Sequence, residues 1–262
     1  MSNLKKRLKA GEALHGCWLN TGSAISAEIV GSSGFDWVLI DLEHGAGRES
    51  AFLPQIQALG NSVAEPLVRV ESYDRARVKW VLDMGVKGIM FPQIQNPDEA
   101  RTAIANMYYP PAGNRGMAKM VRATRYGIDF DNYFEFAKSG LLGIIQIETK
   151  ESLNHLDEIA SIEGVDVLFL GPTDLSLALG ISGQWDHPVY KEAVAAIGKA
   201  AGKAGKAAGV LFFDLNQYNF YYQHGFRFIA SGSDMIFLSK EAAARAKGLV
   251  EQRKKCQREN LK

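Results

Sequence analysis

Residues 39–45, LIDLEHG, end an apolar run with Asp41, Glu43 and His44, side chains that can hold a cation or move a proton. A buried strand gains nothing by closing on charge, so the crowding predicts a site at this end of it. Comparable endings recur: PLVRV carries Arg69, IIQIE carries Gln146 and Glu148, and VLFLGPTD runs into Asp174. Neighbouring parallel strands sit roughly 4.8 Å apart, and two carboxylates that close repel unless a proton or cation lies between them. Oxygen donors select a hard divalent ion such as Mg²⁺ or Mn²⁺, so Glu148 and Asp174 are candidate metal ligands. The same residues fit plainer uses, Asp174 as the N-cap of the helix begun by LSLALG and Glu148 as a solvated strand end.

His44 suits proton transfer near neutral pH, with Asp41 close enough along the chain to orient its ring; a hydrogen-bonded loop histidine fits equally. Arg69 has two uses open to it, binding a carboxylate bidentately or pairing with a strand-end acid such as Glu43. Asp83, in LDMG, falls between the third helix and the fourth strand, away from the other candidates. It reaches a site only in a neighbouring subunit or through a local bend. Gly232, Ser233 and Asp234 follow the last strand, where barrel enzymes often bind phosphate and where a glycine turn is also at home.

These residues need a frame that brings strand ends to one face. Eight apolar runs supply it, opening at Leu14, Trp37, Pro66, Gly88, Leu141, Val167, Ala207 and Phe226. They are continuously hydrophobic, as in a parallel sheet covered on both sides. Helical spacing fills the gaps: residues 23–34, residues 96–107 with Asn96 as cap and Pro97 at the first helical position, and residues 149–164 with Leu153, Leu156 and Ile159 on one face. Strand and helix in alternation predict a (β/α)₈ TIM barrel, with an open doubly wound sheet as the alternative. The chain's 262 residues suit a single barrel domain spanning 1–262, with the alanine-rich, charged end as a C-terminal helical extension.

An irregular excursion over residues 108–127 carries Arg115, Lys119, Arg122 and Arg125, suited to an acidic substrate tail or to a subunit contact. The aromatic run over residues 212–226 reads as helix packing on the barrel, and RKKCQR near the end as a solvated helix face. With 30 basic against 29 acidic residues the net charge is +1, which argues against nucleic acid or an anionic membrane as partner. Cys17 and Cys256 lack metal or disulfide spacing, no run spans a membrane, and the start lacks a signal core. A cytoplasmic protein with a small-molecule partner is the expectation.

The order of GFDWVLIDLEHG, VLDMGVKGIMFPQIQNPDEA, YYPPAGNRGMA and IIQIETKESLNHLDEIASIEGVDVLFLGPTDLSLALG resembles the HpcH/HpaI aldolases, metal-dependent class II pyruvate aldolases, over nearly the whole chain. The resemblance implies a TIM barrel of the phosphoenolpyruvate/pyruvate-binding type. It also implies a lyase that cleaves a 4-hydroxy-2-oxo acid reversibly to pyruvate and an aldehyde, with Mg²⁺, Mn²⁺ or Co²⁺ as cofactor. By that resemblance Glu148 and Asp174 bind the metal and His44 is the acid/base. Asp41 and Asp83 support its basicity, Asp83 across a subunit boundary. Arg69 holds developing negative charge, and Gln146 and the Thr173 backbone bind substrate. A homo-oligomer, commonly a hexamer exchanging C-terminal helices, is implied as well. Many relatives have glycine where this chain has Leu42, a departure that bears on pocket shape and so on substrate choice.

Two rival activities suit the same barrel, a CoA-thioester lyase and an oxaloacetate decarboxylase; the former needs a nucleotide-sized groove for which no motif shows. The reading from another class is a catalytically silent barrel serving binding or assembly. The joint presence of Glu148, Asp174, His44 and Arg69 weighs against it.

Overall fold

The computed structural model describes residues 3–47 and 49–259. Its strands are β1 (Leu14–Leu19), β2 (Trp37–Asp41), β3 (Glu65–Arg69), β4 (Gly88–Phe91), β5 (Leu142–Ile147), β6 (Val165–Leu170), β7 (Ala207–Phe212) and β8 (Phe226–Ser233). All pair in parallel and in sequence order, and β8 pairs back onto β1, so the sheet is a closed barrel and the open alternative falls.

Residue parity decides what each strand sends inward. Leu14 and Trp18, Trp37 and Leu39, Leu67, Met90, Leu142 and Ile144, Val167 and Phe169, and Phe228 and Ala230 form one buried cluster, the barrel interior. The residues between them, such as Cys17, Val38, Ile40, Val68, Ile145 and Leu168, belong to a second cluster that the helices cover. Both faces are buried, which is why the runs read as continuous rather than alternating. Bulk inside is balanced by absence: Trp37 stacks on Phe228 at 4.0 Å between ring centroids. A Cβ on the neighbouring Gly16 would lie 2.2 Å from the Trp37 ring.

The same parity carries the chemistry. Asp41 continues Trp37 and Leu39, Arg69 continues Leu67, Gln146 and Glu148 continue Leu142 and Ile144, and Gly171 continues Val167 and Phe169. The polar residues thus follow the last apolar inward step of each strand, at the carboxyl end where barrel sites lie.

Caps fix the surrounding helices. Asn96 accepts from the N–H groups of Asp98 and Glu99 at the start of helix Pro97–Ala105, Ser23 caps Ala24–Gly31, and Asp74 caps Arg75–Asp83. Residues 149–164 differ from expectation, forming two short helices, Lys150–Asn154 and Leu156–Ser161. The His155 N–H turns back to the Ser152 carbonyl at 3.2 Å, which tightens the chain there and seats Leu156 and Ile159 in the core. Helix Asp234–Glu259 closes the described chain, with Phe237, Leu238 and Leu249 exposed along it. Among the described residues no helix is long and apolar enough to cross a membrane. Cys17 is buried and Cys256 exposed, both as free thiols.

Candidate active site

The register of β2 on β3 sets Asp41 opposite Arg69. Arg69 donates from Nε to Asp41 Oδ1 at 2.9 Å and from Nη2 to Oδ2 at 2.8 Å, a buried bidentate pair. Its Nη1 lies 2.9 Å from Glu43 Oε2, and the guanidinium carbon sits 4.3 Å from the Trp18 ring centroid. Of the two uses open to Arg69 the structure shows the pairing with strand-end acids, and the same side chain lines the cavity.

Asp41 accepts further bonds from the N–H groups of Glu43 and His44 and from Asn20 Nδ2. Within this protomer its carboxylate shapes the 42–44 turn and makes no hydrogen bond to the His44 ring. That ring is 70 % exposed at the cavity, with Nε2 3.8 Å from Glu43 Oε2. Burial pushes the Glu43 carboxyl above its usual range, against the pull of Arg69 and His44.

Glu148 is 1 % exposed, although a solvated strand end was the plainer expectation. Oε1 accepts from the Gln93 N–H at 2.6 Å and Oε2 from the Gln146 side-chain amide, and among the described residues no cation pairs with it. Gln93 holds a left-handed φ of 55°, which turns its N–H toward the acid. Burial, with Asp174 and Glu43 adding negative charge, pushes the Glu148 carboxyl up to about 7. Gln146 Oε1 is buried without a partner. Asp174 is not the N-cap of its helix: Gly171 takes that place, and Asp174 falls in the first turn of Pro172–Ala178, half-buried beside Thr173 on the cavity wall.

The close approach of β5 to this helix leaves no room at Gly171, where a Cβ would lie 2.7 Å from Glu148 Oε2 and 2.8 Å from Gln146 Nε2. Gly171→Ala is therefore expected to displace the Glu148 carboxylate and, on the metal role proposed for that carboxylate, to weaken divalent-metal binding by roughly 10- to 100-fold. Titration calorimetry with Mn²⁺ checks this, and unchanged affinity would detach Gly171 from the site.

Asp83 ends helix Arg75–Asp83 and pairs with the fully buried Arg115 at 2.7 Å, away from the cavity of its own protomer. Arg115 also donates to the Tyr133 hydroxyl, and Arg122 donates to the Met84 carbonyl. Those two cations of the excursion are structural, because each satisfies groups inside its own fold. Gly232 and Ser233 form no turn after the last strand: they end β8 itself, and Asp234 opens the helix and accepts from the N–H groups of Asn20, Thr21 and Met235.

A cavity of about 600 Å³ joins His44, Arg69, Gln146, Thr173 and Asp174 to a wall of Trp18, Phe169, Leu211, Phe212, Phe213 and Trp185. The aromatic run is thus divided. Tyr221 and Phe212 are buried and stack on one another where the wall meets the core, whereas Phe213 stands half-exposed at the cavity. Trp185 carries no sequence signal, sitting in a loop without periodicity, and Phe213 falls in the run expected to pack as helix but lies in the loop after β7.

The profile of the HpcH/HpaI aldolase/citrate lyase family matches residues 14–240. The chain belongs to that family. It is an aldolase, a carbon–carbon lyase. It is 40 % identical over 249 residues to a pyruvate aldolase of Rhizobium etli, covering 94 % of this chain and 96 % of that one. A 4-hydroxy-2-oxo-heptane-1,7-dioate aldolase of Shigella sonnei is 37 % identical over 246 residues, 94 % of each chain. Among solved structures, an HpcH/HpaI aldolase/citrate lyase family protein from Burkholderia cenocepacia J2315 superposes with a TM-score of 0.90 at 34 % identity, over 95 % of this chain and 99 % of that one. The aldolase barrel also answers for Leu42. With Asp41 pointing inward, Leu42 points out and packs on the helix-covered core, so it does not line the aldolase cavity.

Proposed function

We propose that this aldolase cleaves a 4-hydroxy-2-oxo acid reversibly to pyruvate and an aldehyde, with a divalent cation held by Glu148 and Asp174. The observation that carries this reading is a buried carboxylate, Glu148, with no cationic partner among the described residues and with Asp174 close enough to raise its proton affinity. The unpartnered Gln146 Oε1 supports the same reading. The donor set is all oxygen and matches Mg²⁺, Mn²⁺ or Co²⁺, with water and substrate oxygens completing the coordination. The chemistry supplied by a bound cation is Lewis-acid polarisation of the 2-oxo group as the carbon–carbon bond breaks.

The chain's own groups do the rest. Gln146 and the Thr173 backbone orient the 2-oxo acid, and the free N–H groups of Arg69 face the oxygen on which negative charge grows. His44, exposed at the cavity, takes the hydroxyl proton of the substrate through water, which releases the aldehyde; the enolate is then protonated to pyruvate. We place Asp83 at a neighbouring protomer's site. Its burial on Arg115, away from its own cavity, and the apolar residues exposed along helix Asp234–Glu259 support a homo-oligomer, with a hexamer as the proposed size.

His44→Ala is expected to keep metal affinity and to lose cleavage by roughly 10²- to 10⁴-fold. Pyruvate release from 4-hydroxy-2-oxo acids by chelator-stripped protein, before and after metal is restored, checks both halves. Metal binding without release by the unaltered protein overturns the substrate assignment, and undiminished release by the variant removes His44 from the reaction.

A further inference from the structure

The cavity has two unlike ends. One holds Arg69, Gln146, Asp174 and His44, the groups that the proposed function assigns to the pyruvyl half. Across the closed barrel from β3, which carries Arg69, stands β7 with Leu211 and Phe212, and on that side the wall is made by Phe212, Phe213, Tyr221 and Trp185, with Asp214, Gln217 and Lys240 among them. This outer end belongs to the part of the substrate that leaves as aldehyde, because the carbon–carbon bond to be broken lies between the two.

Resting on that function, we infer that the outer end selects an apolar aldehyde of aryl size, with Trp185 and Phe213 as the specificity-determining side chains. Three observations carry it. First, the aromatic wall is braced: Trp185 packs edge-on against Tyr190 with ring centroids 5.5 Å apart, the Tyr190 and Tyr221 hydroxyls are 2.9 Å apart, and Tyr221 stacks on Phe212 at 5.6 Å. A ring held this way presents a fixed flat surface, which suits an aromatic or branched apolar partner. Second, Trp185 is 37 % and Phe213 50 % exposed, so large apolar faces meet solvent at this end until something covers them.

Third, the polar groups there offer a second carboxylate or a polyol little: the cation on this wall is Lys240, exposed on helix Asp234–Glu259, with the Asp214 carboxylate lining the same wall. Asp214 and Lys240 oppose one another in charge, which leaves the outer end without net positive charge. The Asp214 carboxylate also accepts from the Asn216 N–H. The Tyr190 and Tyr221 hydroxyls face each other, and Gln217 alone offers an amide. Recognition of a terminal carboxylate calls for a committed cation, typically a bidentate arginine, and the arginine lining this cavity is Arg69 at the other end. A volume of about 600 Å³ is ample for a pyruvyl group joined to an aryl ring.

The experiment compares kcat/KM for cleavage of four 4-hydroxy-2-oxo acids with Mn²⁺ restored: those derived from benzaldehyde, acetaldehyde, succinic semialdehyde and glyceraldehyde. The benzaldehyde-derived acid is expected to lead the succinic-semialdehyde-derived one by roughly tenfold or more, the scale of apolar pocket discrimination. Trp185→Ala and Phe213→Ala should each lower the ratio of benzaldehyde- to acetaldehyde-derived turnover by roughly tenfold, a change that a general loss of fold would not produce. A lead for the dicarboxylate or the polyol, or a ratio that both variants leave in place, overturns the inference. Metal-dependent exchange of pyruvate methyl protons with deuterated water is followed in the unaltered protein, because it needs no aldehyde. Exchange without the aryl preference sinks the specificity alone, whereas absence of both exchange and cleavage sinks the proposed function and the inference together.

Discussion

Glu148→Gln is expected to abolish divalent-metal binding and to cut metal-dependent turnover on the order of 10³-fold or more, while stabilising the metal-free protein at neutral pH. The replacement keeps shape and most bonding. An amide oxygen at this position still accepts the Gln93 N–H, and the Gln146 amide can turn over so that its unpartnered Oε1 receives the new NH₂ group. Lost is the charge. In the folded chain burial raises this carboxyl from an ordinary 4.5 to about 7, so the folded state holds a proton that the unfolded state has released. Stability from that proton is fully present below the unfolded value and is lost as pH rises through about 7. Once ionised, the group costs the metal-free protein at most on the order of 3 kcal/mol, a cost that glutamine removes. Thermal melts in chelator at about pH 5 and about pH 8 should show the unaltered protein losing stability over that interval and the variant losing less. Metal affinity of the unaltered protein should climb about tenfold per pH unit until about 7, since the cation displaces the proton. Identical melts for both proteins at both pH values would refute the account of Glu148 given above.

How much of this was legible in the sequence follows from parity. A strand forces Asp41, Gln146 and Glu148 onto the face of Leu39 and Ile144, so inward direction and carboxyl-end location could be read from spacing alone. Barrel closure could not, because the pairing of β8 with β1 joins residues more than 200 positions apart and no local pattern encodes it. Asp174 was misplaced for a local reason. Aspartate is a favoured N-cap, yet Pro172 takes the first helical position and moves the cap back to Gly171, so Asp174 is left free to face the cavity. Leu42 illustrates the opposite case, where sequence raised a question that only geometry answers: it faces the outer core. The basic excursion misled because charge in a loop suggests solvent, whereas Arg115 is the cation of an internal cluster beside Tyr109 and Tyr133. Substrate preference was illegible, since Trp185 and Phe213 meet the cavity only through the fold.

Arg69 should show the largest combined effect on stability and turnover, because two kinds of group depend on it at once. Arg69→Met leaves the solvent-excluded Asp41 carboxylate and the Glu43 carboxylate without their cation, and removing one partner of a buried pair costs about 3–5 kcal/mol. Arg69→Lys restores a charge but not the fork. A lysine reaches one carboxylate at a time and offers no planar face to Trp18, so it should recover part of the stability and little of the activity. Turnover is expected to fall roughly 10²- to 10³-fold in Arg69→Lys, the scale of losing an oriented donor to developing negative charge. The two roles separate in the double variant Arg69→Met/Glu43→Gln, which removes the acid that burial already strains toward protonation. Chemical denaturation should show the double variant more stable than Arg69→Met alone, while pyruvate release stays as low as in the single variant. Recovery of both together would reduce Arg69 to a structural cation; recovery of stability alone makes its cavity-facing N–H groups part of the chemistry, and the pairing with Asp41 and Glu43 the means by which they are aimed.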